Sequence, residues 1–337
     1  MGMAGYAVLT PYIVPPGLKK RPNAGDGFVL GACEALLGQP AAQRFSAWAP
    51  LREAQLERVN QAAFLLVAGT NLLRDRLDLY PALQRATLQR LRVPVVLMGV
   101  GLYGRARATR GLTSAATALL EELLERFPLI SVRCQSSAAY LRRALPRSSE
   151  AIRQTGCPSI YSVDGIERGF AREPSPQRFA VTVTDRSRIR PQIRMLRALA
   201  ETYQASQWIL SLHQDGGSNY LRRAAEACGY EVFSASDYRD YIEAYARCDI
   251  HVGNRLHAHL KFLSMGIPSF LMPFDQRQIQ VSKSFDFPLI ERVPSPKIES
   301  YDFGRFAARR RAAAAEMAPF VEQVRKLGQL EPAVRVR

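Results

Sequence analysis

The residues whose types and spacing best fit a catalytic or binding role lie in one segment, residues 248–272. Arg255, His257 and Lys261 fall in the predicted first turns of a helix there, after a strand and the turn and cap Gly253-Asn254. Cations at a helix N-terminus oppose the helix dipole by about 0.3–1 kcal/mol each when exposed. A bound anion would reverse that sign, because the free N–H groups, the dipole and the arginine would all act on one phosphate or carboxylate. The pattern therefore favours a site for a small anionic substrate.

The side chains of this helix divide between two faces. His257 and Lys261 stand four positions apart and share a face, so we expect Lys261 to bind substrate beside His257. His259 is expected to point elsewhere. A purely structural interpretation has comparable weight, because histidines near strand ends often lie in a core with hydrogen bonds to backbone.

An α/β fold must position these residues. Short apolar runs alternate with helical stretches, which predicts parallel sheets covered by helices on both faces. The predicted strands are residues 64–68, 93–101, 129–132, 179–183, 208–212, 230–233, 249–252 and 269–272. Ligands of open α/β sheets sit outside the carboxyl ends of strands, so we expect the site in the loops after Val67, Val100, Val132, Leu212, Val252 and Met272.

The chain of 337 residues is long enough for two domains. We predict an N-terminal Rossmann-like domain (1–168), a C-terminal Rossmann-like domain (178–300), and a C-terminal helix and tail (301–337). A polar, proline-bearing stretch at 165–178 fits a linker. The two domains should face each other across a cleft, with the last helix, predicted over 302–327, crossing back to the first domain.

Composition narrows the possible classes of protein. Hydrophobic residues make up 47% and charged residues 23%, which excludes wholesale disorder. The five cysteines are widely spaced and form no CxxC pair, so we expect reduced thiols and a cytoplasmic protein with neither a disulfide scaffold nor a cysteine zinc site. No acidic cluster has metal-ligand spacing, so no essential metal is expected. Residues 1–18 fit neither a signal peptide nor a membrane span.

The net charge of +16 favours anionic partners. Residues 81–110 hold arginines and no acidic residue, and the last helix carries Arg309-Arg310-Arg311. We interpret both tracts as solvated helix faces. The alternative is peripheral contact with anionic lipid at the inner face of the cell membrane. Few aromatic residues interleave with the arginines, so nucleic acid is not an expected partner.

Ordered motifs point to one family. Gly253-Asn254-Arg255-Leu256-His257-Ala258, followed by Met265-Gly266-Ile267-Pro268-Ser269, resembles the signature of the polysaccharide pyruvyl transferase family. The family's earlier elements are matched in the same order by NAGDGF at 23–28, MGVG at 98–101, SVR at 131–133 with Ser136, and GCPS at 156–159. The resemblance spans roughly residues 23–280, most of the chain.

The resemblance implies a GT-B-like pair of domains and a ketal pyruvyl transferase. The donor would be phosphoenolpyruvate, and the acceptor a sugar of a cell-surface or exopolysaccharide unit, lipid-linked or polymeric. The product would be a cyclic pyruvate ketal with phosphate released, and no further cofactor is implied. Arg133, Arg255, Leu256 and Asn23 would bind substrate. His257 would be a general acid or a phosphate partner, and Asp26 would accept the proton of a sugar hydroxyl unless it only closes an Asx-turn.

The sequence departs from the family pattern at three places. Ala68-Gly69-Thr70-Asn71 stands where the family has a glycine-rich run after an earlier strand. Phe274-Asp275-Gln276-Arg277 stands where the family commonly has a tyrosine-aspartate stretch followed by lysine. Arg277 keeps the charge, so we expect it to bind substrate, although an arginine does not have the geometry of a lysine. Cys134 replaces the family's acidic residue after Arg133.

Two other functions stay open. One is a GT-B glycosyltransferase that uses a nucleotide sugar; many such enzymes hold ribose with a glutamate, and residues 244–290 contain none. The other is a non-catalytic polyanion-binding protein, whose affinity would fall steeply with salt.

Overall fold

The computed structural model of the protein describes residues 5–19, 21–77, 80–103, 111–161, 170, 176–184, 189–214 and 219–330. Within these residues, the strands form two parallel sheets that follow one another along the chain. Helices alternate with the strands, because a parallel sheet must be covered on both faces. The prediction of an α/β fold with two Rossmann-like halves is confirmed.

The first sheet is six-stranded and has the order β2-β1-β3-β4-β5-β6. Its strands are β1 (Ala7–Thr10), β2 (Gln43–Ser46), β3 (Leu65–Ala68), β4 (Val95–Val100), β5 (Ile130–Val132) and β6 (Ile152–Gln154). The strand order reverses between β1 and β3, where Leu9 pairs with Val67. Ligands of such sheets bind at this kind of reversal, outside the carboxyl ends of the strands.

The second sheet is five-stranded and has the order β11-β10-β7-β8-β9. Its strands are β7 (Arg178–Thr182), β8 (Gln207–Ser211), β9 (Tyr230–Phe233), β10 (Ile250–Gly253) and β11 (Ser269–Leu271). The order reverses between β7 and β10, where Thr182 pairs with Gly253. The carboxyl end of β10 leads directly into the helix start that carries Arg255 and His257, and the carboxyl end of β7 lies next to it.

Helices cover both sheets. They are α1 (Ala24–Leu37), α2 (Glu53–Asn60), α3 (Arg85–Leu88), α4 (Ser114–Arg126), α5 (Gln135–Ala144), α6 (Ile189–Thr202), α7 (Asn219–Glu226), α8 (Tyr238–Tyr245), α9 (Leu256–Ser264), α10 (Gln276–Phe285), α11 (Pro296–Ser300) and α12 (Gly304–Gly328). Short 3-10 turns lie at Pro81–Leu83, Pro146–Ala151 and Pro158–Ile160. The helix predicted over 80–91 is wrong, because the extended backbone of Gln84 separates a 3-10 turn from the single turn of α3.

Helix α1 of the first half packs directly against the second half. Gly27 and Gly31 face the ring of Tyr238 on α8, and a Cβ atom at Gly27 would lie 2.5 Å from the Tyr238 Cβ. The backbone N–H of Ala24, at the start of α1, donates to the carbonyl of His213 after β8 (3.1 Å). These contacts fix the N-terminal end of α1 against the strand ends of the second sheet.

The C-terminal helix α12 crosses back to the first half, as predicted. Before its start, the ring of Phe303 contacts that of Phe270 on β11 (5.7 Å between centroids), and Phe320 contacts Phe127 of the first half (5.9 Å). The prediction that its arginines form a solvated face is wrong for Arg310, which lies on the buried stripe and is only 2% exposed. The predicted domain limits stay predictions, and most of the predicted linker at 165–178 lies outside the described residues.

Candidate active site

Arg255 lies where the second sheet reverses its strand order. The Asn254 N–H donates to the Thr182 carbonyl (3.0 Å), and Nε of Arg255 donates to the Val183 carbonyl (2.7 Å). Both bonds tie the start of α9 to the end of β7. The close approach requires Gly253, because a Cβ atom there would lie 2.3 Å from the hydroxyl oxygen of Thr182. Arg255 therefore stands in the crevice where sheets of this kind bind ligands.

The cap of α9 differs from the prediction. The N-cap residue is Arg255, with extended backbone, and its side chain makes no capping hydrogen bond. The predicted cap, Asn254, is buried; its Nδ2 donates to Oε1 of Gln192 (3.2 Å), and its carbonyl accepts from Nε2 of Gln278 (2.6 Å). Asn254 thus joins the starts of α9 and α10 to α6. The first turn of α9 is left without a side-chain cap, which suits an anion.

His257, in the first turn of α9, meets the start of α1 from the first half. Its Nδ1 lies 4.0 Å from Oδ1 of Asp26, and the two side chains are 16% and 22% exposed. Asn23 is the N-cap of α1: its Oδ1 accepts from the Gly25 N–H (3.2 Å), and its Nδ2 donates to Oδ2 of Asp26 (3.2 Å). A Cβ atom at Gly25 would lie 3.1 Å from His257 Nδ1. The predicted residues Asn23, Asp26 and His257 therefore come together.

The surroundings of His257 favour its neutral form. Burial lowers the pKa of His257 to about 3; the charges of Arg133, Arg277 and Arg255 act in the same direction, and a backbone hydrogen bond of Gly25 opposes them. Because guanidinium groups stay charged at neutral pH, the pKa of His257 responds to whatever neutralises them. A bound anion would raise the pKa of this histidine.

Arg133 follows β5 and reaches the same site from the first half. It is 2% exposed; its Nη2 donates to the Leu102 carbonyl (3.2 Å), and its Nε has no hydrogen-bond partner within the described residues. Burial lowers the pKa of Arg133. The guanidinium packs on Gly101, where a Cβ atom would lie 2.2 Å from Nε. A buried donor without a partner is costly, and a bound anion would satisfy it.

Arg277 reaches the cluster from the first turn of α10. Asp275 caps that helix: its Oδ1 accepts from the Arg277 N–H (2.9 Å), and its Oδ2 accepts from Nε of the same arginine (2.8 Å). Burial would raise the pKa of Asp275, but the hydrogen bonds from Arg277 lower it below its usual value. The charge of Arg277 acts on Arg133, and the charges of both arginines act on His257.

Two other predicted site residues lie outside this cluster. Leu256 packs against the main hydrophobic core. The charged neighbour of Lys261 is Arg310 of α12. His259 turns into the interior, where its Nδ1 bonds the hydroxyl of Ser269 (2.7 Å). The structure thus gathers Asn23, Asp26, Arg133, Arg255, His257 and Arg277, but not Leu256 or Lys261.

Three further residues were not predicted as site residues, although Thr70 and Asn71 were noted as a departure from the family pattern. The hydroxyl of Thr70 and Oδ1 of Asn71, after β3, are buried without hydrogen-bond partners among the described residues. The Thr70 carbonyl accepts from Gly101 (2.9 Å), which packs on Arg133. Burial raises the pKa of Tyr80; the charge of Asp26 adds to this effect, whereas Arg133 and Arg277 oppose it. An unusual polar pair directly after an apolar strand was the available signal for Thr70 and Asn71.

Side chains that bind metal ions are scattered among the residues that the structure describes. Within the described ranges, no three histidine, cysteine, aspartate or glutamate residues lie close enough to hold a metal ion. All five cysteines are unpaired. Among the helices that the structure describes, none is long and apolar enough to cross a membrane.

Comparisons with known proteins agree with the fold and the motifs. The sequence model of the family described as polysaccharide pyruvyl transferase matches residues 15–275. No curated protein matches the chain.

Similar solved structures include a UDP-N-acetylglucosamine 2-epimerase from Listeria monocytogenes, with TM-score 0.56, 10% identity, and coverage of 99% of this chain and 100% of that chain. An S. aureus MnaA–UDP structure gives TM-score 0.53 and 12% identity, covering 98% of this chain and 100% of that one. The UDP-N-acetylglucosamine 2-epimerase from Rickettsia bellii gives 0.52 and 11%, covering 96% and 97%. At these identities the likeness shows the GT-B-like fold alone.

Proposed function

The chain belongs to the polysaccharide pyruvyl transferase family, and from that membership we propose that it transfers pyruvate from phosphoenolpyruvate to two hydroxyls of one sugar. The sugar is part of a cell-surface or exopolysaccharide unit. The product is a cyclic pyruvate ketal, and inorganic phosphate is released.

One observation carries the proposal: the charges of Arg133, Arg255 and Arg277 all act on His257, whose Nδ1 lies 4.0 Å from Oδ1 of Asp26. Phosphoenolpyruvate has a carboxylate and a phosphate, and guanidinium groups bind both kinds of oxyanion through paired N–H donors. The unpartnered Nε of Arg133 and the uncapped start of α9 are further donors for them.

The reaction requires one proton transfer to carbon and two attacks by oxygen. The methylene carbon of the donor accepts a proton and becomes a methyl group, which leaves positive charge on the neighbouring carbon. One sugar oxygen attacks that carbon, the bond to the phosphate oxygen breaks, and the second sugar oxygen closes the ketal. The two hydroxyls lose two protons in total. One replaces the proton that was given to the methyl group, and the other leaves with the phosphate.

His257 is the proton donor in this proposal. Its pKa is about 3, so the side chain is neutral near pH 7. The negative charges of phosphoenolpyruvate would offset the three arginines and raise the pKa of His257. Asp26, at 4.0 Å, would stabilise the protonated ring. Protonation of His257 is thus coupled to donor binding. Asp26 accepts the proton of the attacking hydroxyl, directly or through His257.

The sugar would bind on the side of the first sheet. Thr70 and Asn71 offer buried oxygens without partners in the described residues, and such groups accept hydrogen bonds from hydroxyls. Tyr80 is buried, and its ring lies in a tilted arrangement 5.0 Å from that of Trp48, centroid to centroid. The charges of Asp26 and Arg133 act on Tyr80, so the proposed acceptor side combines polar oxygens with an aromatic ring.

The test combines two readouts on the same reaction. The protein is incubated with phosphoenolpyruvate and a panel of aryl glycosides, and released phosphate and acceptor mass are both measured. We expect phosphate release that depends on acceptor, with a mass gain of one ketal-linked pyruvate. UDP-sugars serve as the comparison donors. No phosphate release with any acceptor, together with no binding of phosphoenolpyruvate, would overturn the proposal.

A lipid-linked acceptor would bring the enzyme to the inner face of the membrane. Exposed arginines such as Arg309 and Arg311 would then meet anionic headgroups. Co-sedimentation with vesicles containing phosphatidylglycerol tests this: binding should require the anionic lipid and weaken with salt, and equal binding to neutral vesicles would contradict it.

A further inference from the structure

Arg310 interrupts the apolar stripe of α12. Phe306, Ala313 and Met317 are buried at the helical spacing on either side of it, and Arg310 is 2% exposed. Its sequence neighbours Arg309 and Arg311 face the solvent. A charged side chain in such a place is expensive unless an opposite charge accompanies it.

Two nitrogens of the Arg310 guanidinium, Nε and Nη2, form a fork that makes no hydrogen bond within the described residues. Both nitrogens are buried. The same two nitrogens of Arg44 grip the carboxylate of Glu34 at 2.8 and 2.9 Å. The edge of Arg310 that is free is therefore the edge that binds an oxyanion bidentately elsewhere in this protein.

The charge of a second cation, Lys261 on α9, interacts with that of Arg310. Burial and, to a smaller extent, the charge of Arg310 together lower the pKa of Lys261 to about 8. Burial also lowers the pKa of Arg310 to about 10, with only the phenol of Tyr161 opposing this. Among the described residues, no carboxylate pairs with either cation. The buried charge of Arg310 on α12 therefore acts on Lys261 of α9 and on Tyr161 at the end of the first half.

We propose that Lys261 and Arg310 form a second anion site, which binds one small oxyanion of the phosphate class between α9 and α12. A doubly charged tetrahedral anion matches the two positive charges and supplies acceptors for both nitrogens of the fork. The site is separate from the cleft, because Arg310 lies on the buried stripe of α12, whereas the cleft arginines follow β5, β10 and β11. An anion there ties α12 to α9 and so stabilises the contact between the crossing helix and the second half.

Inorganic phosphate is the probe for the first test. Isothermal titration compares the wild type, Arg310→Met and the matched control Arg311→Met, whose side chain is exposed on the same helix. We expect Arg310→Met to bind one phosphate fewer per chain than the other two proteins, whether or not the cleft binds phosphate. Saturating phosphate should raise the Tm of the wild type by about 3 °C or more beyond the rise in Arg310→Met.

A crystal of the wild type grown with selenate locates the ion without any substitution. We expect an anomalous peak within hydrogen-bond distance of Nε and Nη2 of Arg310, and its absence in Lys261→Met. Equal phosphate stoichiometry in all three proteins would overturn the proposal. So would a fork occupied by water or by a carboxylate of the chain itself. Neither result depends on whether the protein transfers pyruvate.

Discussion

Nδ1 of His257 lies 4.0 Å from Oδ1 of Asp26, although the two residues lie in the first turns of helices in opposite halves of the chain. The contact depends on glycine at position 25, which lets α1 approach α9. The charges of arginines from both halves act on His257. A proton donor, its stabilising carboxylate and its anion-binding groups are thus assembled only when both halves fold together.

Replacement of His257 by glutamine should reduce kcat by a factor of about 10²–10⁴, because it removes the proton donor. The Kd for phosphoenolpyruvate should change little, since the arginines remain. Steady-state kinetics and isothermal titration separate the two effects. An unchanged kcat would remove His257 from the chemistry.

Arg133→Lys keeps the charge but removes Nε, which has no partner among the described residues, and the planar fork. We expect the Kd for phosphoenolpyruvate to rise about 10- to 100-fold. Arg143→Lys, an exposed change on α5, is the control and should bind normally. If both variants bind equally well, Arg133 does not hold the donor.

Gly25→Ala places a methyl group 3.1 Å from Nδ1 of His257 and should displace the ring. We expect kcat to fall about tenfold, since small displacements of a reacting group are costly. Gly111→Ala, where a Cβ meets nothing within 4 Å, should keep full activity. Circular dichroism of both variants excludes misfolding as the cause, and wild-type activity of Gly25→Ala would contradict the assigned position of His257.

Arg277→Gln should raise the pKa of His257 above its value of about 3 in the free enzyme, because one of the charges that disfavours the imidazolium is removed. Two-dimensional NMR of the imidazole nitrogens measures this pKa. Lys283→Gln, an exposed change on the same helix, is the matched control. A pKa that stays at the wild-type value would show that Arg277 does not face the histidine.

Acid should destabilise the protein below about pH 6.5, the pKa of histidine in an unfolded chain. Burial lowers the pKa of His251 to about 3, so between these values the unfolded chain binds a proton that the folded chain does not. Stability is therefore full above pH 6.5 and falls by up to about 1.4 kcal/mol per pH unit for this residue. Urea unfolding at pH 7.5 and 5.5 measures the loss, which should be smaller in His251→Asn. Equal losses in both proteins would contradict the assignment.

The interior strands could be predicted from the sequence because parallel strands buried on both faces appear as continuous apolar runs. Strands β3, β4, β7 and β8 have this property. Strands β5, β9, β10 and β11 were also predicted. The edge strands β2 and β6 were missed, because Gln43–Ser46 and Ile152–Gln154 are short and largely polar. Strand β1 was missed because its apolar run is short and closely followed by prolines.

The part of the site that could be predicted is the part that lies in a local sequence motif. Arg255 and His257 occupy a motif beside a predicted strand end, which fixes their place in the fold. Lys261 shares a helical face with His257, yet its charged neighbour is Arg310, because the path of α12 across the molecule has no local signal. The burial of Arg310 could have been inferred from its spacing to Phe306 and Ala313.

The most direct test of the central claim is the crystal structure of the protein with phosphoenolpyruvate. The account predicts the carboxylate and phosphate on Arg133, Arg255 and Arg277, with the methylene carbon next to the ring of His257. An empty cleft at saturating donor, or a donor bound away from these arginines, would contradict it.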